Sequence, residues 1–244
     1  LYYNPLLPVY LFPPSENFER LKTYEIYDSG RNFATMYWPY SNTGLDALSQ
    51  NPYWITNRNM FNTGKDRFLF GASLKYDVTD WLDITGRARI DYTHITAEQK
   101  NYASTLGLFA GDKGRYYNNT YITSQRYADV LANFHKTFAD GAFSLNATLG
   151  TSMMQTRSNN VSLLYEQSKF VAPGNGGAYY PNIFNPSNFY KNGTTMGLER
   201  KRLNSVFGAV TFGFKEALFL DVTARNDWSS ALAYTDGYSF FYPS

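Results

Sequence analysis

No cysteine occurs anywhere in the chain, which removes disulfide scaffolds, thiolate zinc clusters and thiol nucleophiles together. Histidine is nearly as scarce: His94 and His135 are the only two. They fall on different predicted strands, whereas a metal site needs convergent ligands, so both read as lone polar residues. An excess of charge of one sign is also missing. Lys and Arg number 22 against 20 Asp and Glu, a formal +2, and no basic block stands out, so nucleic-acid binding has no electrostatic footprint. Nor is there an apolar run near the roughly 20 residues that a membrane helix needs. A mean hydropathy of −0.42 leaves a β-barrel open, because barrel strands are apolar only at alternate positions. The chain starts at Leu1-Tyr2-Tyr3-Asn4-Pro5 without Met or a signal peptide, and it stops at Tyr242-Pro243-Ser244. Both ends read as cuts.

Aromatic side chains are abundant: 22 Tyr and 19 Phe bring the aromatic share to 18%. That suits β-structure and aromatic-rich surfaces. Residues 1–65 show no sustained period. Pro5, Pro8, Pro13, Pro14, Pro39 and Pro52 punctuate them, and the stretch reads as one large extracellular loop region. Short helices are expected around Glu16–Tyr24 and Leu45–Gln50, the second closed by Asn51-Pro52, since a residue before proline avoids helical geometry.

From residue 66 the pattern switches to period two. Phe68, Phe70, Ala72, Leu74 and Tyr76 alternate with Arg67, Ser73, Lys75 and Asp77. After an Asp-Val-Thr-Asp turn, Leu82, Ile84, Gly86, Ala88, Ile90 and Tyr92 alternate with Asp83, Thr85, Arg87, Arg89, Asp91 and Thr93. Further strands are predicted near 120–136, 143–153, 202–214 and 218–227, and a seventh begins at about 238. Six barrel strands thus occupy 66–244, with tight turns near 79, 140 and 216 and long outer loops near 97–118 and 158–197. Strands of about 11–16 residues exceed the 5 or 6 usual in soluble proteins. Their apolar/polar alternation and alternating short and long connections are the signature of an outer-membrane barrel. Aromatics near the short turns (Tyr76, Trp81, Phe134, Phe138, Phe143, Phe212, Phe214, Phe219) sit where an interfacial girdle belongs. The fold class expected is all-β: antiparallel strands forming part of a large transmembrane β-barrel with long extracellular loops. A soluble or secreted β-rich carbohydrate-binding module is the alternative, with the same apolar face buried in a core.

The stretch Leu218-Phe219-Leu220-Asp221-Val222-Thr223-Ala224-Arg225-Asn226-Asp227-Trp228-Ser229-Ser230 resembles a signature strand of SusC/RagA-type TonB-dependent outer-membrane transporters. Ala224 stands where that family usually has Gly, and Ala231-Leu232-Ala233 where it continues Thr-Leu-Pro. Asn51-Pro52-Tyr53-Trp54, Trp81-Leu82, Lys201 to Gly208 and Tyr238 to Ser244 are similar to other family segments, in order. The resemblance runs from about residue 50 to the end. It implies an internal fragment of a Gram-negative outer-membrane barrel of roughly 22 strands. Such a barrel imports oligosaccharides or peptides with a SusD-like surface lipoprotein as lid, and it draws energy from the TonB complex through parts outside this chain. The partners it implies are that lipoprotein, the TonB complex, the cargo, membrane lipid and the remainder of the same barrel, with no nucleic acid and no cofactor.

Candidate ligand or lid contacts are the loop aromatics Tyr37, Trp38, Tyr53, Trp54, Tyr116, Tyr117, Tyr179 and Tyr180, whose flat rings can stack on sugars or peptide side chains. Asp221, Arg225, Asn226, Asp227 and Trp228 belong to the signature strand; Arg225, Asn226 and Asp227 are candidates for cargo in the lumen, but the reading favoured is that Arg225 and Asp227 pair with neighbouring charges on the barrel wall as a rigid polar seam. No Ser/His/Asp arrangement supports catalysis, so no enzyme is expected. Glycan or nutrient uptake, rather than chemistry, is the function expected.

Overall fold

The computed structural model describes residues 4–10, 12–39, 50–106, 110, 113–166, 180–188 and 193–244. Of the expected helix at 45–50 all but Gln50 lies outside them, as does the candidate Tyr179. The described chain is almost wholly antiparallel β-structure, as expected. Seven strands form one sheet in sequential order: β3 (Asn59–Thr79), β4 (Leu82–Asn101), β5 (Arg115–Phe138), β6 (Phe143–Glu166), β7 (Gly193–Phe214), β8 (Leu218–Ser229) and β9 (Ser239–Pro243). A separate hairpin pairs β1 (Glu25–Asp28) with β2 (Phe33–Met36). The helices are short: α1 (Leu6–Tyr10) and α2 (Pro52–Arg58), plus three-residue to five-residue 3₁₀ turns.

Three connections are tight, at Asp80-Trp81, 139–142 and 215–217, and the last two are built for the twist of a hairpin. Ala139 and Asp140 both have φ 51°, and Lys215 and Glu216 have φ 50° and 55°. Two successive residues at positive φ define the turn that joins antiparallel strands without splaying them. The Ala217 amide donates to the Phe214 carbonyl at 3.1 Å and that of Ala142 to Ala139 at 3.0 Å, closing the two turns.

The strands are longer than their alternation implies. β3 to β7 contain 21, 20, 24, 24 and 22 residues, and β3 begins at Asn59 rather than 66. Asn51-Pro52 opens a helix instead of closing one. The Asn51 side chain accepts from the Tyr53 amide at 2.9 Å, and Pro52 takes the first helical position, where its missing N–H is not needed. Among the described residues before α2, local hydrogen bonds build the β1–β2 hairpin. Asp28 Oδ1 accepts from the Gly30 and Arg31 amides at 2.9 and 3.2 Å, and Asn32 at φ 59° completes the β1–β2 turn.

Two compact units emerge. One comprises Leu1–Lys65, Ile95–Tyr121 and Asn160–Met196; the other comprises Asp66–His94, Ile122–Asn159 and Gly197–Ser244.

Candidate functional site

In the unit containing Asp66–His94, the register fixes which residues share a face. Val206, Gly208, Val210, Phe212 and Phe214 stand opposite Asn226, Ala224, Val222, Leu220 and Leu218; Ser205, Phe207, Ala209 and Thr211 stand opposite Asp227, Arg225, Thr223 and Asp221. Side chains alternate across a strand, so the first set makes an apolar face and the second a polar one.

The polar face is a chain of paired groups. Arg67 Nε donates to Asp91 Oδ1 at 2.9 Å. Arg87 donates to both Asp129 oxygens, Nε at 2.9 Å and Nη2 at 2.6 Å, while the Tyr127 hydroxyl donates to the same carboxylate at 2.6 Å. Asn133 bridges strands, donating to Asp83 at 2.8 Å and accepting from Thr148 at 3.0 Å. Planar forks on carboxylates are the strong form of such pairing. Arg225 lies 2.7 Å from Asp227 and donates to Ser205 Oγ at 3.0 Å. Asn226 donates to Ser239 at 3.0 Å, and Thr211 hydrogen-bonds Asp221. Trp228 is 37% exposed. The five residues of the resembling strand therefore include a pair joined along one strand, Arg225 and Asp227, while Asn226 and Trp228 point to the other face.

One feature of this face escaped the sequence reading. Gly150 carries the Phe207 ring: a Cβ there would meet two of its carbons at 2.5 Å and Leu131 at 2.7 Å. The Arg225 guanidinium in turn lies 5.6 Å from the same ring centroid. A lone Gly inside a polar-alternating strand was the available signal, since it marks a close approach.

The apolar face is bare. Phe70, Leu74, Leu149 and Leu220 are 72, 76, 64 and 62% exposed, and nothing among the described residues covers them. Near the short turns it ends in a belt. Trp81 packs on Phe134 with centroids 4.9 Å apart, and Phe143 on Phe212 and Phe214 at 5.8 and 5.0 Å. Lys136 reaches over Trp81 and Phe138. Phe219 is not in this belt; it pairs with Gly213 on the opposite face.

In the unit containing Leu1–Lys65, aromatics are locked by amides. Trp54 is fully buried, and its Nε1 donates to Thr105 Oγ1 at 3.0 Å. Thr105 and Asn101 both donate to Asn59 Oδ1, at 2.9 and 3.0 Å. Asn51 donates to the Leu21 and Tyr37 carbonyls at 2.8 and 3.1 Å. Tyr116 is 8% exposed; its hydroxyl donates to Glu98 at 3.0 Å and its ring approaches Phe184. The Lys100 ammonium, bonded to Glu98, holds that carboxyl below its ordinary range, and burial pushes the Tyr116 phenol up. Arg58 forks onto Glu25, with both bonds 2.8 Å. Trp54 and Tyr116 are thus packing residues here, with no open ring face. Tyr37, Trp38, Tyr53 and Tyr117 are half-buried, and Tyr180 is exposed.

No three His, Cys, Asp or Glu side chains converge among the described residues. His94 Nδ1 stands 3.9 Å from Asp66. The described residues supply paired charges and contact surfaces.

An open antiparallel sheet of this length, polar on one side and bare apolar on the other, defines a stretch of large β-barrel. No protein-family model matches the chain, and no curated protein matches it. Solved structures do. The chain is similar to "Structure of the RagAB peptide transporter", with a TM-score of 0.69 and 15% identity over 87% of this chain and 22% of that one. It is also similar to the RagAB peptide importer in its open-open state (TM-score 0.64, 16% identity, 89% and 22% covered) and closed-closed state (0.65, 14%, 89% and 23%). The chain therefore has the fold of part of that transporter, spanning about a fifth of the length of the chains it matches.

Proposed function

We propose that this chain is a stretch of barrel wall from a TonB-dependent outer-membrane importer of the SusC/RagA type. The single observation that carries the reading is the sheet's two-sidedness. Arginine–carboxylate pairs sit on one face, and large aliphatic and aromatic side chains are left bare on the other. A soluble domain hides its apolar face, because exposed patches beyond a few hundred Å² mark interaction sites. In lipid that face needs no cover, and the polar face turns to a wet lumen. The carbohydrate-binding-module alternative requires a covering layer.

Tight turns at one end of the strands and long connections at the other match periplasmic turns and extracellular loops. The belt of Trp81, Phe134, Phe143, Phe212 and Phe214 then lies at the inner interface. The partly exposed loop aromatics Tyr37, Trp38, Tyr53, Tyr117 and Tyr180, together with Tyr179, are the candidates for touching cargo or a SusD-like lid lipoprotein. Arg225 and Asp227 stiffen the lumen wall. The likeness to a peptide importer favours peptides over oligosaccharides as cargo. Energy coupling through the TonB complex belongs to parts of the protein beyond this chain.

The test is fractionation of cells followed by mild detergent purification and mass spectrometry. Recovery from the outer membrane with an attached lipoprotein is expected. Recovery as a soluble monomer overturns the reading.

A further inference from the structure

On the apolar side of the sheet, one place gathers several positive charges. Arg126 of β5, Arg157 of β6 and Arg200 of β7 line a single cavity of about 390 Å³ with Tyr92, Ser124, Gln155 and others. No ion pair among the described residues engages any of the three, and the cavity's lining contains no carboxylate. Elsewhere in the chain, arginines have carboxylate partners: Arg58 has Glu25, Arg67 has Asp91, Arg87 has Asp129 and Arg225 has Asp227. Three arginines lining one cavity with no carboxylate among its walls are an unmet charge.

Their height along the strands is informative. Each arginine lies roughly a dozen residues from the short-turn end of its strand, at Phe138, Phe143 or Phe214. At about 3.3 Å per residue and a tilt near 40°, that is about 30–35 Å, above an apolar band about 25 Å tall and at headgroup height. Below them on the same face come Ala128, Val130 and Ala132 on β5 and Leu149 on β6, while on β7 Arg202 and Asn204 precede Val206 and Val210. Tyr92, in the cavity wall, packs near Phe68 with centroids 6.4 Å apart, a polar-tipped ring at the band's upper edge. The cavity thus opens where acyl chains give way to headgroups.

We propose that the Arg126–Arg157–Arg200 cavity binds the phosphate of a membrane lipid headgroup, with the lipid's acyl chains lying on the apolar face beneath. Guanidinium forks match phosphate oxygens bidentately, and the cavity is of a size that takes a small polar headgroup. Continuity with the apolar face favours a phosphate tethered to lipid over free phosphate. The proposal rests on the membrane-wall reading and adds an occupant to it.

The experiment uses the whole transporter purified in mild detergent and reconstituted into nanodiscs. Three lipid compositions are compared: zwitterionic phosphatidylcholine alone, with phosphatidylglycerol added, or with phosphorylated lipid A added. Retained lipid is counted by native mass spectrometry, and inorganic phosphate alone is tested beside them. The wild type is expected to retain one of the two anionic lipids. The R126Q/R157Q/R200Q variant loses that retention roughly tenfold, and R126K/R157K/R200K keeps part of it. Whichever anionic lipid is retained identifies the source. Equal retention by wild type and the Gln variant overturns the proposal, as does binding of inorganic phosphate with no lipid held. A wild type that enters membranes but holds no anionic lipid overturns this inference alone; a wild type that never enters membranes overturns the wall reading with it.

Discussion

At Asp129, 3% exposed, two nitrogens of Arg87 and the Tyr127 hydroxyl satisfy one carboxylate. Removing the carboxylate strands both donors, and a group left unsatisfied costs more than the bond itself was worth. Arg87 is half exposed, so water recovers part of the loss. Asp129→Ala should lower unfolding stability by about 1–2 kcal/mol, measured by urea titration in detergent. No change would mean the fork is ornamental. Gly150 makes a sharper case, because its Cβ would overlap the Phe207 ring. Gly150→Ala should cost about 1–3 kcal/mol, and most of that should vanish in the Phe207→Leu background. Simple additivity of the two substitutions would show that the ring does not press on the glycine.

At the scale of elements, the short turns carry a local conflict. Lys215 and Glu216 hold positive φ, a region that Asn and Gly occupy with less strain. Replacing them by Asn-Gly should raise stability by about 1 kcal/mol, read as a higher thermal midpoint; a lower midpoint would mean the side chains do something the turn requires. Asn51 is the opposite case, since it caps α2 and also ties down Leu21 and Tyr37. Asn51→Ala should speed proteolysis of residues 12–58 and leave the strands of the other unit protected. The strands near the short turns were legible in the sequence because one face there is apolar. Their far halves were not. Segments such as Glu98-Gln99-Lys100 and Ser158-Asn159-Asn160 are polar on both faces, so period two disappears although the strand continues. The loop aromatics were legible as residues but not as roles. Nothing in the sequence says that Trp54 finds Thr105, 51 positions away, or that Tyr116 finds Glu98. The three cavity arginines were equally hidden, because they line one cavity only when β5, β6 and β7 lie side by side.

For the whole molecule, the claim that matters is which face meets lipid. Charge on the apolar face near the middle of the band should be costly: Val210→Lys or Leu149→Lys should lose about 2–4 kcal/mol, whereas Thr223→Lys on the polar face should not. The most direct measurement is an accessibility scan in the intact protein in its membrane. The chain's lack of cysteine keeps the background from this region at zero. Single cysteines would be placed at Leu149, Val210 and Val222 and at their neighbours Thr148, Thr211 and Thr223, then exposed to a charged maleimide. The account predicts strict alternation, with the three threonine positions labelled and the three aliphatic positions protected until the membrane is dissolved. Labelling of the aliphatic positions with protection of the threonines, or labelling of all six alike, would contradict it.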